Sequence, residues 1–291
     1  MKKYCSSVLY NLVIFVFIFL FTGFNSTPEP MRVMTFNIRL DSPNDGANIW
    51  TNRRANLVSM IRFHKADIVG FQEAQKHQID FMLQSLPEYG WFGVGRDDGK
   101  QQGEFSAIFY RKDRFDTLST STFWCSTTPE HHGKGWDAAY ERIVTFGKMK
   151  DNRNNKTFYL FNTHLDNEGQ HARIESAKLI KSTMQLICDN YPVILTGDFN
   201  STPNSEAYQI ISASETNSSI NLVDSRTISK SKPHGPSGTF TGFDSNAKPD
   251  APIDFIFVKK GMSVLSHGTL SDSFDGYLPS DHYPVLAEIV F

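Results

Sequence analysis

Two segments of the chain follow one pattern, and that pattern limits the folds open to it. RVMTFN (Arg32 to Asn37) leads into a helix-like stretch from Asn52 to His64 and then into ADIVGFQE (Ala66 to Glu73). FYLFNTH (Phe158 to His164) leads into a helix-like stretch from Gln170 to Asn190 and then into PVILTGDFN (Pro192 to Asn200). Short apolar strands alternating with longer helical patterns specify an α/β protein. A duplicated strand–helix–strand unit would bring two sheets face to face and gather four strand ends on one edge. Those ends carry Asn37, Glu73, His164, Asp198 and Asn200, and convergent polar groups of this kind are what a site requires.

Between the halves lies a β-rich block, GWFGVG, EFSAIFYRKDRF, LSTSTFWCS and RIVTFGKMK. A Gly/Ser/Pro/Asn-rich stretch follows from about Ser212 to Pro252, and IDFIFV (Ile253 to Val258) and PVLAEIVF (Pro284 to Phe291) read as closing strands. No linker separates two cores, so residues 31–291 read as one domain. With 291 residues, 40% hydrophobic and 21% charged, the chain can bury an extended core and lies far from disordered compositions. The net charge of −2 does not mark a polyanion binder. Residues 1–26 stand apart: MKK precedes an apolar run from Val8 to Phe24, an export signal that is either cleaved or kept as an N-terminal anchor. The expected location is therefore outside the cytoplasm, whether secreted, periplasmic or membrane-anchored. Cys5 belongs to this leader, and Cys125 and Cys188 are expected as two buried thiols. N-x-S/T sites occur at Asn25, Asn155, Asn200 and Asn217; a glycan on Asn200 would obstruct the strand-end site, which favours a bacterial exported protein.

Six blocks in order, TFN, QE, NTHLD, TGDFN, IDFIFV and SDHYPV, resemble the signature blocks of the endonuclease/exonuclease/phosphatase superfamily, the fold of the pancreatic-type deoxyribonuclease. The resemblance covers the chain after its leader. It implies a four-layered α/β/β/α sandwich of two face-to-face mixed sheets and metal-dependent hydrolysis of a phosphate ester, here a phosphodiester attacked in line by water. It also implies roles: Asp198 as base, Asn200 donating its amide to a phosphate oxygen, His282 on the scissile phosphate with Asp254 holding its ring. His164 would stabilise the pentacovalent state or the leaving oxygen, and Asp281 would support the metal region. Hard oxygen ligands suit Mg2+ or Mn2+, with Glu73 and Asn37 as a sparse protein shell, and no His-rich or thiolate cluster suggests zinc. A strand projects residues i and i+2 to one side, so Asp198 and Asn200 can share a face.

Taken singly, each residue has a plainer reading. Asp198 could close a turn, Glu73 could start a helix, Asn37 could end a strand, and both histidines could be satisfied surface residues. Arg142 in AAYERIVTF either grips phosphate through a bidentate fork or makes a salt bridge, and Tyr110 stands between the same two kinds of role. Arg39 occupies the position where base-excision nucleases of this superfamily carry an acid, which argues against abasic-site repair and a second metal nearby.

Three substrate readings remain. A small, sugar- or lipid-linked phosphodiester suits the acidic balance and the aromatic loops bearing Trp91, Phe92, Trp124, His131, His132 and Trp136. An RNA or DNA substrate, cleaved by a 3'-5' exonuclease, endonuclease or deadenylase-like enzyme, would need a local basic patch, for which Arg53, Arg54, Arg62 and Lys65 are candidates, although they also read as a solvated helix face. A non-catalytic binding module that kept the fold is the third, and sphingomyelinase-like activity falls under the first. No obligate protein partner is expected, and the chain reads as a monomer.

Overall fold

Val33 and Met34 are neighbours in one strand yet belong to different cores. The strand is β1 (Met31–Asn37), and because successive side chains leave a strand on opposite faces, Met31 and Val33 turn towards a second sheet while Met34 and Phe36 turn towards helices. The structure, a computed structural model, describes residues 29–291 except residue 217. The leader of residues 1–26, with Cys5 and Asn25, and Asn217 therefore fall outside the described residues.

After β1 come α1 (Trp50–His64), β2 (Ile68–Gln72), α2 (Lys76–Ser85), β3 (Tyr89–Phe92) and β4 (Ile108–Arg111). The middle of the chain supplies β5 (Phe115–Trp124), β6 (Ile143–Asp151), β7 (Lys156–His164), α3 (Gln170–Ile187) and β8 (Val193–Asp198). The last part holds α4 (Glu206–Ser212), β9 (Leu222–Asp224), β10 (Asp254–Lys259), β11 (Ser263–Thr269) and β12 (Val285–Val290). They form two six-stranded sheets, ordered β11-β12-β1-β2-β4-β3 and β5-β6-β7-β8-β10-β9. The duplication read from the sequence is realised in three dimensions. β1 and β2 are parallel across α1, β7 and β8 are parallel across α3, and each pair is flanked by antiparallel strands, β12 and β4 in one sheet and β6 and β10 in the other.

Three apolar layers separate four structural layers, so the fold is an α/β/β/α sandwich. Leu57 and Ile61 of α1 pack with Phe36 and Phe71; Ala177, Ile180 and Met184 of α3, spaced three and four apart, pack with Phe161 and Leu195. Between the sheets, Val33, Ile68, Leu160, Ile194 and Ile256 form the third core. Each such side chain, fully buried, contributes about 1.5–3 kcal/mol relative to exposure. Towards the strand ends that carry the site this layer becomes polar. Gln72 Nε2 donates to Thr35 Oγ1 at 3.1 Å and to Asn162 Oδ1 at 2.7 Å, Asn162 Nδ2 donates to the carbonyl of Phe71 at 2.7 Å, and Thr196 Oγ1 donates to Asn162 Oδ1 at 3.0 Å. Hydrogen bonds thus join the sheets just below the site. Gly70 permits the approach, since a Cβ there would lie 2.3 Å from Thr196 Oγ1.

α1 starts at Trp50, before the expected Asn52, and α3 ends at Ile187, short of Asn190. β11 carries Ser266, His267 and Gly268 and slips register between Val264 and Ser266, so its strand pattern is weak in the sequence. Cys125 and Cys188 are free and buried, and burial pushes both thiols up to about 12. Among the described residues no helix is long and apolar enough to cross a membrane.

Candidate active site

Three strand ends near the polar layer share an unusual backbone. Arg39 follows β1 with φ 57°, Glu73 follows β2 with φ 61°, and Asn200 follows β8 with φ 44°. Non-glycine residues in the left-handed region cost free energy and persist where neighbours hold them. The holding groups are side chains of the strand ends: Asn37 Oδ1 accepts from Arg39 N at 3.0 Å, and Asp198 Oδ1 accepts from Asn200 N at 2.9 Å. Glu73 Oε2 accepts from Leu40 N at 3.1 Å. The same Asx device operates in both halves of the duplication, and it turns each chain away so that the next side chain enters a common cavity.

That cavity, of about 380 Å³, is lined by Arg39, Glu73, His164, Asp198, Asn200, Asp281, His282 and Arg142 among others. Seven of these eight are residues on which the sequence reading rested, and Asn37 and Asp254 lie buried beneath them. Asn37 Nδ2 donates to Glu73 Oε1 and to Asp198 Oδ2, both at 2.9 Å, and so ties one sheet's carboxylate to the other's. Asp254 is paired with Asp198 across β10 and β8 and places Oδ2 2.9 Å from His282 Nδ1; His282 Nε2 lies 3.8 Å from Asp198 Oδ2. Burial alone would lower the His282 pKa, but Asp254, Asp198 and Asp281 surround the ring and hold it well above the ordinary value. Burial and the Asp254 carboxylate raise Asp198, against the pull of His282 and Asn37. Asp198 is thus a carboxylate of raised basicity beside an imidazolium. These three residues bring potential ligand atoms within 4.8 Å of one another. The surroundings of the imidazole favour its protonated form, which suits the trio to carrying a proton.

A hard divalent cation fits on the other side. Asp281 is raised by burial and by Glu73, against the pull of His282 and of Arg39, whose Nε lies 3.9 Å from Asp281 Oδ2, and the two carboxylates share the cavity. Oxygen donors with mutual repulsion are the chemistry that a Mg2+ or Mn2+ ion relieves. The oxygen of Asn37 already accepts from Arg39 N, which leaves one lone pair for such an ion.

Two expectations change. Asn200 Nδ2 donates to the carbonyl of Leu165 and to His164 Nε2, both at 3.0 Å. A carbonyl can only accept, so the nitrogen must face it; both amide protons are engaged, and Asn200 meets a ligand with its oxygen, the reverse of the expected donor role. Tyr110 lies outside the cavity. It pairs with Ile68 and Gly90, and β4 runs antiparallel to β2, which carries Tyr110 about 13 Å away from the Gln72 end. It packs instead between the sheets beside Phe92, with ring centroids 6.1 Å apart.

Arg142 is buried and half engaged. Nε donates to Asp166 at 3.1 Å and Nη2 to Asn167 at 2.8 Å, while Nη1 has no hydrogen-bond partner among the described residues. The expected salt bridge therefore exists, and a donor remains. Asp166 is drawn down to about 2: burial raises it, but the amides of Gly169 and Ala139 and the Arg142 guanidinium prevail. Of the candidate basic patch, Arg53 is buried and Arg54 half-buried, while Arg62 and Lys65 stay exposed. Arg53 is only 3% exposed and donates to the carbonyls of Asn48, Ile38, Pro279 and Arg39; Arg54 lies 4.5 Å over the Phe81 ring, and Arg62 donates to the carbonyl of Ser85. Nor do the tryptophans line the cavity. Trp91 packs against the α1–α2 core, Trp136 against the α3 core, and Trp124 donates to the carbonyl of Arg96 at 2.7 Å.

Sequence reasoning missed Phe240, Tyr140, Arg96 and Glu104, all of which line the cavity. Phe240 is 50% exposed, bridges His282 through its backbone and sets its ring 5.1 Å from that imidazole. Tyr140, 46% exposed, lies 5.1 Å from the Arg96 guanidinium and 5.5 Å from that of Arg142. Arg96 donates to Glu104 at 2.8 Å across the loop between β3 and β4. The available signals were an aromatic residue set in loop chemistry, HGPSGTFTGF, and a charged Gly-rich run, GRDDGKQQGEF.

A two-sheet sandwich whose carboxylates, imidazoles and guanidiniums meet at the strand ends defines a hydrolase of phosphate ester bonds. The chain belongs to the Endonuclease/Exonuclease/phosphatase family, whose model matches residues 34–282. It is similar in structure to a mannosyl-6-phosphatase of Bacteroides thetaiotaomicron, 38% identical with a TM-score of 0.84, over 90% of this chain and 100% of that one. It is also similar to an uncharacterized protein of Acanthamoeba polyphaga mimivirus, 28% identical over 52% of this chain and 59% of that protein. Nocturnin of Mus musculus is 23% identical over 92% of this chain and 66% of its own. The chain spans 29% to 66% of the length of the curated relatives it matches.

Proposed function

We propose that the protein is an exported, Mg2+- or Mn2+-dependent hydrolase that removes phosphate from a small sugar phosphate by in-line attack of water. The observation that carries this reading is the set of donors around one cavity. A phosphate monoester presents three terminal oxygens; His282 Nε2 and Nη1 of Arg142 can donate to two of them, and Glu73 and Asp281, with the spare lone pair of Asn37, would hold a cation for the third. Bound there, the cation would shield the phosphate charge and stabilise the departing oxygen. Asp198 takes the proton of the attacking water, and the oxygen of Asn200 accepts its second hydrogen bond and so aims it. His282 donates to a phosphate oxygen, its ring fixed by Asp254. The half-exposed rings of Phe240 and Tyr140 wall the mouth and give a sugar apolar faces to lie on. The similar mannosyl-6-phosphatase supports the sugar phosphate class. Export rests on the leader of residues 1–26, and the mass of the native N-terminus distinguishes cleavage from anchoring.

A second reading, hydrolysis of a phosphodiester including a nucleic-acid backbone, is favoured by similarity over part of the chain to proteins named 2',5'-phosphodiesterase 12. A panel with Mg2+ separates the two: mannose 6-phosphate and other hexose phosphates against bis-p-nitrophenyl phosphate, single-stranded RNA and sphingomyelin. Hexose phosphates should be turned over best and chelation should abolish turnover. Preferential cleavage of RNA, or full activity after exhaustive chelation, would overturn the reading.

A further inference from the structure

Behind the cavity lies a recess of about 10 Å³, lined by Arg96, Glu104, Ser106, Arg142 and His164 among others. This volume holds one water molecule and little else. Three of the lining residues each carry a buried polar atom without a hydrogen-bond partner among the described residues: His164 Nδ1, Arg96 Nε and Arg142 Nη1. All three are hydrogen-bond donors in the arrangement seen here. For the arginines this is intrinsic. For His164 it follows from the chain of bonds already described, in which the Leu165 carbonyl fixes the Asn200 amide nitrogen, that nitrogen donates to His164 Nε2, and the ring proton is left on Nδ1.

We propose that His164 is a positioning residue and not a proton donor: a single water in the recess accepts from Nδ1–H and locks this tautomer, and Nε2 then holds the Asn200 amide with its oxygen towards the attacking water. Such a water accepts from His164 and from one guanidinium and donates to Glu104 or Ser106, so the Nδ1 proton of His164 is satisfied without substrate. Arg142 Nη1 carries two protons and can serve both recess and phosphate. His164 Nε2 also lies 3.5 Å from Asp198 Oδ2, longer than its contact with Asn200 and beyond what a donated bond requires. Placed this way, His164 cannot hand a proton to a leaving oxygen, because its only proton points away from the cavity.

The proposal rests on the hydrolytic reading for its kinetics but not for its first test. Long-range 1H–15N spectra of the full chain labelled with 15N-histidine, with the His164 signals identified by their loss in His164→Asn, should show the neutral Nδ1–H pattern without substrate. An Nε2–H or imidazolium pattern overturns the proposal whatever the enzyme cleaves. A double-mutant cycle supplies the second test, on whichever phosphate ester is turned over. His164→Asn should lower kcat about 10- to 100-fold with both limbs of the pH–rate profile retained. In the Asn200→Ala background the same change should alter kcat by no more than about twofold. Loss of a pH limb, or effects that multiply in the double variant, would make His164 a direct participant and sink the idea.

Discussion

Asp198 and His282 form one proton-handling unit, and their chemistry is testable atom by atom. Asp198→Asn keeps the shape and removes the base, so kcat should fall by roughly 10² to 10⁴ with the melting temperature little changed; a loss below about fivefold would place the base elsewhere. The pH dependence of stability has a definite sign. The folded pKa of His282 lies above the unfolded value of 6.5, so its stabilisation is complete below that value and is lost as pH rises through the raised one. Asp198, raised to about 7, acts in the same direction, its share being lost between the ordinary 3.8 and about 7. Thermal unfolding in chelator should therefore show the melting temperature falling above pH 6.5, and Asp254→Asn, which removes the ring's nearest partner, should flatten the fall; an unchanged slope would contradict the pairing. At this scale the identities of Asn37, Glu73, His164, Asp198, Asp254 and His282 were legible because each ends a strand or sits in a recognisable block. The direction of the Asn200 amide was not, since it depends on a carbonyl 35 positions away in the chain.

β2 illustrates how an element serves the site through its neighbours. Val69 and Phe71 face the helices, Ile68 faces the second sheet, and Gly70 and Gln72 meet the buried amide of Asn162. Gly70→Ala would set a methyl 2.3 Å from Thr196 Oγ1 and 2.6 Å from Asn162 Oδ1. Neither atom belongs to a flexible surface side chain, so overpacking should cost about 1–3 kcal/mol, read as a lower midpoint in urea. A variant as stable as the parent would show that the sheets separate freely. α1 contributes similarly through Arg53, whose fork donates to carbonyls on both the Arg39 loop and the Pro279 loop before Asp281. Lysine cannot reproduce that fork, so Arg53→Lys should lower kcat/KM while the fold survives. The helix is legible from its periodicity, but which of its basic residues is buried depends on the loops laid over it.

For the whole molecule, charge and metal set the expectations. A small substrate compensates one or two charges, so log(kcat/KM) should fall only shallowly with log salt between 50 and 300 mM; a slope near −4 or steeper on RNA would indicate a tracked backbone, at about 0.7 to 0.9 per phosphate neutralised. The burial of Arg53 within the fold agrees with the shallow slope. A cation that binds only the folded chain stabilises it by about 2.7 kcal/mol at a hundredfold excess over its Kd. Saturating Mg2+ should accordingly raise the melting temperature, and Glu73→Gln should reduce that rise even where activity is already lost. An identical rise in the variant would place the cation elsewhere.

Local pattern in the sequence specifies the α/β class, the duplicated strand–helix–strand unit and about half of the residues that line the cavity. It could do so because strand alternation, helix periodicity and short blocks are local, and local patterns survive in one dimension. Tertiary structure alone decided that Tyr110 points between the sheets far from the site, that Arg53 is a buried clamp, and that Phe240 and Tyr140, not the tryptophans, wall the mouth. It also decided the pairing of Asp254 with His282 and the hydrogen bonds that join the sheets through Asn162. These outcomes depend on strand register and on how closely two sheets approach, and both are set by contacts between residues that the chain brings together only when folded.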